Sequence, residues 1–135
     1  MRASGRIAIQ AMDRQRFESL VAQAVSNLPE EFGAKLENID VVVEDYPTLA
    51  QLARVGLKHR QTLLGLYEGV PLTRRGGHYG LVPPDKVTIF QKPIEAKCGY
   101  DGDVITEIKK VVRHEIAHHF GIGDARLEQL ERSQD

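Results

Sequence analysis

Apolar residues recur along this chain at two spacings, and each spacing predicts a different kind of secondary structure. Between residues 13 and 27 they recur every three or four positions, which is typical of a helix with one buried side. Asp13 is expected to cap this helix, because its carboxylate can accept a hydrogen bond from a backbone N–H of the first turn. A second helical segment is predicted from Pro47 to about Val55.

Three short apolar runs predict β-strands, at residues 39–44, 62–67 and 87–91. The last run is followed by Pro93, which cannot donate a backbone hydrogen bond to a sheet and is therefore expected to end the strand. Between the second and third strands, residues 68–86 are rich in glycine and proline and predict a surface loop.

The longest helical pattern covers residues 104–120, and a shorter one follows Asp124. Gly121 is expected to end the long helix, because glycine accepts the left-handed backbone conformation of a helix C-terminus at little cost. The apolar residues of the long helix form a stripe that faces the core: Val104, Ile105, Ile108, Val111, Val112, Ile116 and Phe120.

Length and charge restrict the classes of protein to which the chain can belong. Its 135 residues, 41% of them hydrophobic, suffice for one core, so we expect a single domain over residues 12–135. Residues 1–11 are expected to be a disordered N-terminal extension. The net charge of −1, with acids and bases interspersed, indicates neither nucleic acid nor an anionic membrane as a partner.

Cellular location is indicated by two features of the sequence. No apolar run approaches the roughly 18 to 20 residues that span a bilayer, and the N-terminal segment lacks the apolar stretch of a signal peptide. Cys98 is the only cysteine, so the chain cannot form an internal disulfide, and an inert thiol is expected. These features favour a cytoplasmic location, and they leave the oligomeric state open.

The segment His114-Glu115-Ile116-Ala117-His118 lies within the long predicted helix and has the spacing of a catalytic zinc site. Side chains four residues apart share one face of a helix, so both imidazoles can bind the same ion. Catalytic zinc typically has three protein ligands and one open position, where water is activated at neutral pH. Glu115, next to the first histidine, can then act as the general base.

The third zinc ligand has to come from beyond this segment. A turn at Gly121 can bring Asp124 back toward the metal, and carboxylate oxygen is a common zinc ligand. Asp124 can equally be the N-cap of the short helix that follows it, and Glu128 is a competing ligand. His119 points to another side of the helix, so a supporting or structural role is expected for it.

Three segments of the chain resemble the small bacterial zincin-like metallopeptidases, also called minimal metalloproteases. They are Leu63-Leu-Gly-Leu-Tyr-Glu-Gly-Val-Pro-Leu-Thr-Arg74, Val87-Thr-Ile-Phe-Gln-Lys-Pro-Ile-Glu95 and His114-Glu-Ile-Ala-His-His-Phe-Gly-Ile-Gly-Asp124. The resemblance, which extends over residues 16–130, implies a compact α+β zincin-like fold. A small mixed sheet would be packed by the first helix, as a backing helix, and by the active-site helix.

The resemblance also implies roles for individual residues. His114, His118 and Asp124 would bind Zn²⁺, and Glu115 would be the catalytic carboxylate. Residues 87–91 would be an edge strand above the metal, where a peptide or protein substrate could pair in extended form. Apart from the resemblance, His78 and Tyr79 are candidates to stabilise the oxyanion of the reaction if the loop that carries them folds over the site.

The expected function is therefore that of a zinc-dependent peptidase, in which Glu115 assists attack of zinc-bound water on a peptide bond. Two alternatives remain. A zinc-binding module without catalysis, serving a partner or a regulatory role, would have no use for Glu115, since purely structural zinc sites are normally closed by four ligands. A hydrolase of a non-peptide amide or ester would use the same zinc chemistry.

Overall fold

A small mixed sheet and the helices packed on it form the part of the chain that the structure describes. The structure is a computed structural model and describes residues 12–28, 39–59, 62–69, 85–99 and 101–121, together with Gln129. The elements in chain order are α1 (Arg14–Ser26), β1 (Ile39–Glu44), α2 (Leu49–Arg54), β2 (Gly65–Glu68), β3 (Asp85–Phe90), α3 (Gln91–Lys97) and α4 (Asp101–His119). This arrangement confirms the expected α+β fold.

Strand β3 lies in the middle of the sheet, between β1 and β2. It pairs in parallel with β1, so that Val41 is opposite Val87, and antiparallel with β2, where Gly65 is opposite Ile89. The prediction that residues 87–91 form an edge strand was wrong. Five of the six residues of β3 are buried, as expected for a strand covered on both faces and paired on both sides.

The hydrophobic core lies between one face of the sheet and the helices α1 and α4. Each fully buried residue of this kind stabilises the fold by about 1.5–3 kcal/mol. The core includes Phe17 and Val21 from α1, Val87 and Ile89 from β3, and Ile108, Val112 and Ile116 from α4. The predicted apolar stripe of α4 thus fixes this helix against the sheet and determines which of its side chains face away from the core.

The sequence patterns predicted the positions of α1 and β1 correctly. Asp13 caps α1, its Oδ1 accepting a hydrogen bond of 2.8 Å from the backbone N–H of Arg16. β1 has the predicted bounds. Helix α2 begins later than predicted, because Thr48 caps it through a reciprocal pair of hydrogen bonds with Gln51. Pro47 therefore precedes the cap.

The predicted bounds of the other two strands were less accurate. β2 starts at Gly65, since Thr62 lies in a turn in which its hydroxyl donates to the carbonyl of His59 at 2.7 Å. β3 starts at Asp85, ends at Phe90 and leads directly into α3, a helix that the sequence analysis missed. Pro93 is accommodated in the first turn of α3, where a missing N–H costs little. Residues 1–11, most of the predicted loop and, apart from Gln129, the short helix predicted after Asp124 lie outside the described residues.

Candidate metal centre

Helix α4 brings the two motif histidines together on one side. The imidazole centroids of His114 and His118 are 4.7 Å apart, with the ring planes at 64°. Each of His114, Glu115 and His118 offers a ligand atom, and these three atoms all lie within 4.8 Å of one another. Among the residues that the structure describes, this group has the donors that a metal ion would need.

The donor set fits a zinc ion. Imidazole is a preferred zinc ligand, and two imidazoles one helical turn apart can bind a single ion. The side chain of His118 remains 43% exposed, so water and substrate can reach this side of the helix. A catalytic site requires such access, because one coordination position has to stay open.

Glu115 lies between strand β2 and the side of α4 that carries His114 and His118. It is only 8% exposed, and its Oε1 is 3.3 Å from Nδ1 of His118. A Cβ atom on Gly65 would lie 3.1 Å from Cγ of Glu115 and 2.6 Å from Cγ1 of Val111. The glycine therefore allows the backbone of β2 to approach the turn of α4 that carries Glu115, and this backbone limits where the carboxylate can move.

The end of α4 confirms the helix-stop role predicted for Gly121. Gly121 has a φ of 72°, in the left-handed region, and its N–H donates to the carbonyl of His118 at 3.0 Å. Helix α4 thus ends within three residues of His118. Asp124 and its competitor Glu128 lie outside the described residues, so the third ligand stays a prediction.

A buried polar cluster next to this site was missed in the sequence analysis. Oδ2 of Asp85 accepts a hydrogen bond of 2.6 Å from the hydroxyl of Tyr67 and lies 2.8 Å from Nδ1 of His119. Asp85 is 4% exposed and His119 is completely buried. Asp85 falls within the loop that the sequence predicts at residues 68–86. Had the strand been extended to it, two-residue alternation with Val87 and Ile89 would have placed its carboxylate on the core face, where it needs partners.

The ring of Tyr67 lies between this cluster and His118, one of the candidate metal donors. Its centroid lies 6.3 Å from that of His118 and 6.2 Å from that of His119, with both rings edge-on to it. Tyr67 also packs against the core. His119, expected to support the site, lies in the polar cluster and not in the group of converging metal donors.

Cys98 has the environment of an unreactive thiol. It is half-buried after the last residue of α3. Burial raises the pKa of its thiol, and the negative charges of Glu107 and Asp103 raise this pKa further. Since the thiolate is the reactive form, these effects lower the reactivity of Cys98 at neutral pH. The loop residues His78 and Tyr79 lie outside the described residues.

None of the described helices has the length and hydropathy needed to cross a membrane.

A comparison with protein families finds one that matches most of the chain. The family model described as zincin-like metallopeptidase matches residues 36–134, which include the whole sheet and the motif on α4. No curated protein matches the chain significantly.

Proposed function

Because this chain belongs to the family of zincin-like metallopeptidases, we propose that it is a zinc-dependent peptidase with Glu115 as its catalytic carboxylate. The observation that carries this proposal is the convergence of ligand atoms from His114, Glu115 and His118 on α4. Family membership supports a metal-dependent hydrolase in general. The identity of the ion, the third ligand and the role of Glu115 are parts of the proposal.

In the proposed site His114 and His118 bind zinc from α4, and Asp124 is the third ligand. A zinc ion with an open position lowers the pKa of water to about 7 and polarises a carbonyl oxygen. The turn at Gly121 supports Asp124, because it ends the helix at the point where the chain has to change direction to return to the metal.

Glu115 takes the proton from the attacking water and later gives it to the leaving amine. Its position supports this role, since the carboxylate lies 3.3 Å from the imidazole of His118 and is shielded from bulk solvent. Contact between β2 and the turn that carries Glu115 restricts the motion of the carboxylate. A base held in place near the reacting atoms contributes about 10²–10⁴-fold to the rate.

The substrate is proposed to be an extended peptide that pairs along β2. This strand is hydrogen-bonded to β3 on one side, and no other described strand lies on its second side. Because Gly65 lies against Glu115, a peptide along β2 would pass close to the catalytic carboxylate. Backbone pairing of this kind binds peptides of many sequences, and side-chain pockets then provide selectivity.

Elemental analysis of untagged protein, combined with cleavage of a random peptide library, tests the proposed function. We expect one zinc per chain, cleavage by the metal-loaded protein, loss of cleavage after chelation and recovery after zinc is added back. Zinc without cleavage would contradict a peptidase acting alone and favour a binding module. Cleavage of ester or non-peptide amide substrates only would favour the other hydrolase. Absence of zinc from protein prepared in zinc-containing buffer would contradict the metal site itself.

Replacing Asp124 with alanine is expected to release zinc, because the ion would lose one of three ligands. Zinc content and the free energy of unfolding of the metal-free protein are measured together. If Asp124 were only a helix cap, zinc would be retained and the free energy of unfolding would fall by about 1 kcal/mol. Glu128→Ala is the matched control. Zinc loss in Glu128→Ala, with zinc retained in Asp124→Ala, would reverse the assignment of the third ligand.

A further inference from the structure

Asp85 joins three elements around one carboxylate. It is the first residue of β3. Its Oδ2 accepts a hydrogen bond from the hydroxyl of Tyr67 on β2, and the same oxygen lies 2.8 Å from Nδ1 of His119 at the end of α4. In sequence these partners are 18 and 34 residues away from Asp85. The carboxylate therefore ties the end of the metal-binding helix to the sheet.

The chemistry of a carboxylate determines the direction of both hydrogen bonds. An ionised carboxylate only accepts, so Tyr67 donates its O–H and His119 donates from Nδ1. Nε2 of His119 is buried and has no hydrogen-bond partner among the described residues. The polar contribution of this imidazole within the described structure is therefore its bond to Asp85.

The backbone at the end of strand β2 passes close to the side chain of Asp85. Gly69 follows the last residue of β2 and has a φ of 155°, a conformation that other residues rarely adopt. A Cβ atom on Gly69 would lie 2.5 Å from Cγ of Asp85. The close approach of the backbone keeps the carboxylate enclosed next to Tyr67.

His118 occupies the part of α4 that most needs support from outside the helix. It lies in the last turn, where backbone carbonyls lack partners within the helix and the ends tend to fray. On one side of this turn, His119, the residue after His118, is hydrogen-bonded to Asp85. On another side, the ring of Tyr67, held through its hydroxyl by the same Asp85, lies edge-on to the imidazole of His118.

We propose that Asp85 is a positioning residue for the metal centre, which orients His118 through Tyr67 and His119. This inference rests on the proposed zinc site. Partners outside the ligand set that fix the orientation of a histidine ligand typically change metal affinity by about 10–100-fold. Asp85 differs from such direct partners, because it acts on His118 through two neighbouring side chains.

The test measures zinc affinity by competition with a chromophoric chelator, together with the visible absorption spectrum of the cobalt(II)-substituted protein. The spectrum reports ligand geometry, which a loss of stability alone does not change. Asp85→Ala is expected to weaken zinc binding by about 10–100-fold and to shift the cobalt bands. Tyr67→Phe keeps the ring and removes only the hydroxyl, so a smaller change in the same direction is expected. In Asp85→Ala the Tyr67 hydroxyl has already lost its acceptor, so removing this hydroxyl as well should cause no further change, and the zinc affinity of the double variant should match that of Asp85→Ala.

His119 offers a pair of variants that separates the hydrogen bond from the packing. Asparagine and leucine have side chains of similar size, but only asparagine can place an N–H where Nδ1 of the imidazole donates to Asp85. His119→Asn should therefore retain more zinc affinity and a more nearly native cobalt spectrum than His119→Leu. Val21→Ala is the control for stability, since Val21 is buried in the core on α1 and its apolar side chain takes no part in the hydrogen bonds of Asp85.

The outcomes separate this inference from the zinc site on which it rests. Zinc binding by the wild type, with unchanged affinity and cobalt spectra in the Asp85, Tyr67 and His119 variants, would overturn the positioning role and leave the metal site intact. Equal weakening by Val21→Ala would also overturn it, because general destabilisation would then be the cause. If Asp85→Ala does not fold, Tyr67→Phe and the His119 pair decide the question. Failure of the wild type to bind zinc would overturn both proposals.

Discussion

Replacing Glu115 with glutamine is expected to lower kcat for peptide hydrolysis by about 10²–10⁴-fold while zinc content stays at the wild-type level. The amide has the same shape as the carboxylate, so it fits the confined space between β2 and the side of α4 that carries the two motif histidines. It can also keep an oxygen facing Nδ1 of His118, 3.3 Å away. A neutral amide cannot take a proton from water at neutral pH, however, and the chemical step should therefore fail.

Steady-state kinetics on a cleaved library peptide, with zinc determined in the same samples, would measure this effect. Glu107→Gln is the matched control, because Glu107 is a carboxylate on the same helix, 9% exposed and paired with Lys97 at 2.9 Å. This control should retain kcat. Hydrolysis at the wild-type rate by Glu115→Gln would refute the role of Glu115 as general base. Loss of zinc from that variant would instead indicate that Glu115 binds the metal.

Replacing His118 with alanine is expected to remove the metal, and with it all zinc-dependent hydrolysis. The variant would keep the imidazole of His114 on α4 and lose that of His118, which is one of the three converging donors. Since metal affinity depends on several ligands acting on one ion, removing one of three is expected to leave no stable complex. The fold should persist, because the side chain of His118 is 43% exposed and lies outside the hydrophobic core.

Zinc content after dialysis and the far-ultraviolet circular dichroism spectrum would be measured for His118→Ala. His59→Ala is a suitable control, since His59 is exposed and lies after α2, outside the converging donor group. It should bind zinc as the wild type does. A His118→Ala protein that retains one zinc per chain would show that the ion is bound elsewhere.

Features that depend on neighbouring residues could be predicted from the sequence. The cap at Asp13, the bounds of β1 and the end of α4 near Gly121 each involve contacts within a few residues, and the structure confirms them. The arrangement of His114 and His118 is also a local feature, because one helical turn determines how the two imidazoles face each other. Helix α3 was missed because Pro93 indicates the end of a strand as readily as the first turn of a helix.

The order of the strands could not be read from local patterns. β1 and β3 pair in parallel although α2 and β2 lie between them in sequence, and this pairing makes β3 central. The sheet edge beside α4 therefore belongs to β2, and a substrate proposed to pair there would lie on residues 65–68 and not on residues 87–91.

The sequence by itself determined the helix that carries His114, Glu115 and His118, because spacing within one helix is a local property of the chain. Only the tertiary structure decided what surrounds these side chains. Gly65 approaches Glu115, which is 50 residues further along the chain. Asp85 bonds to Tyr67 and His119, which are 18 and 34 residues away from it in sequence. Such contacts follow from how the sheet and α4 pack together, and no local pattern of residues specifies that packing.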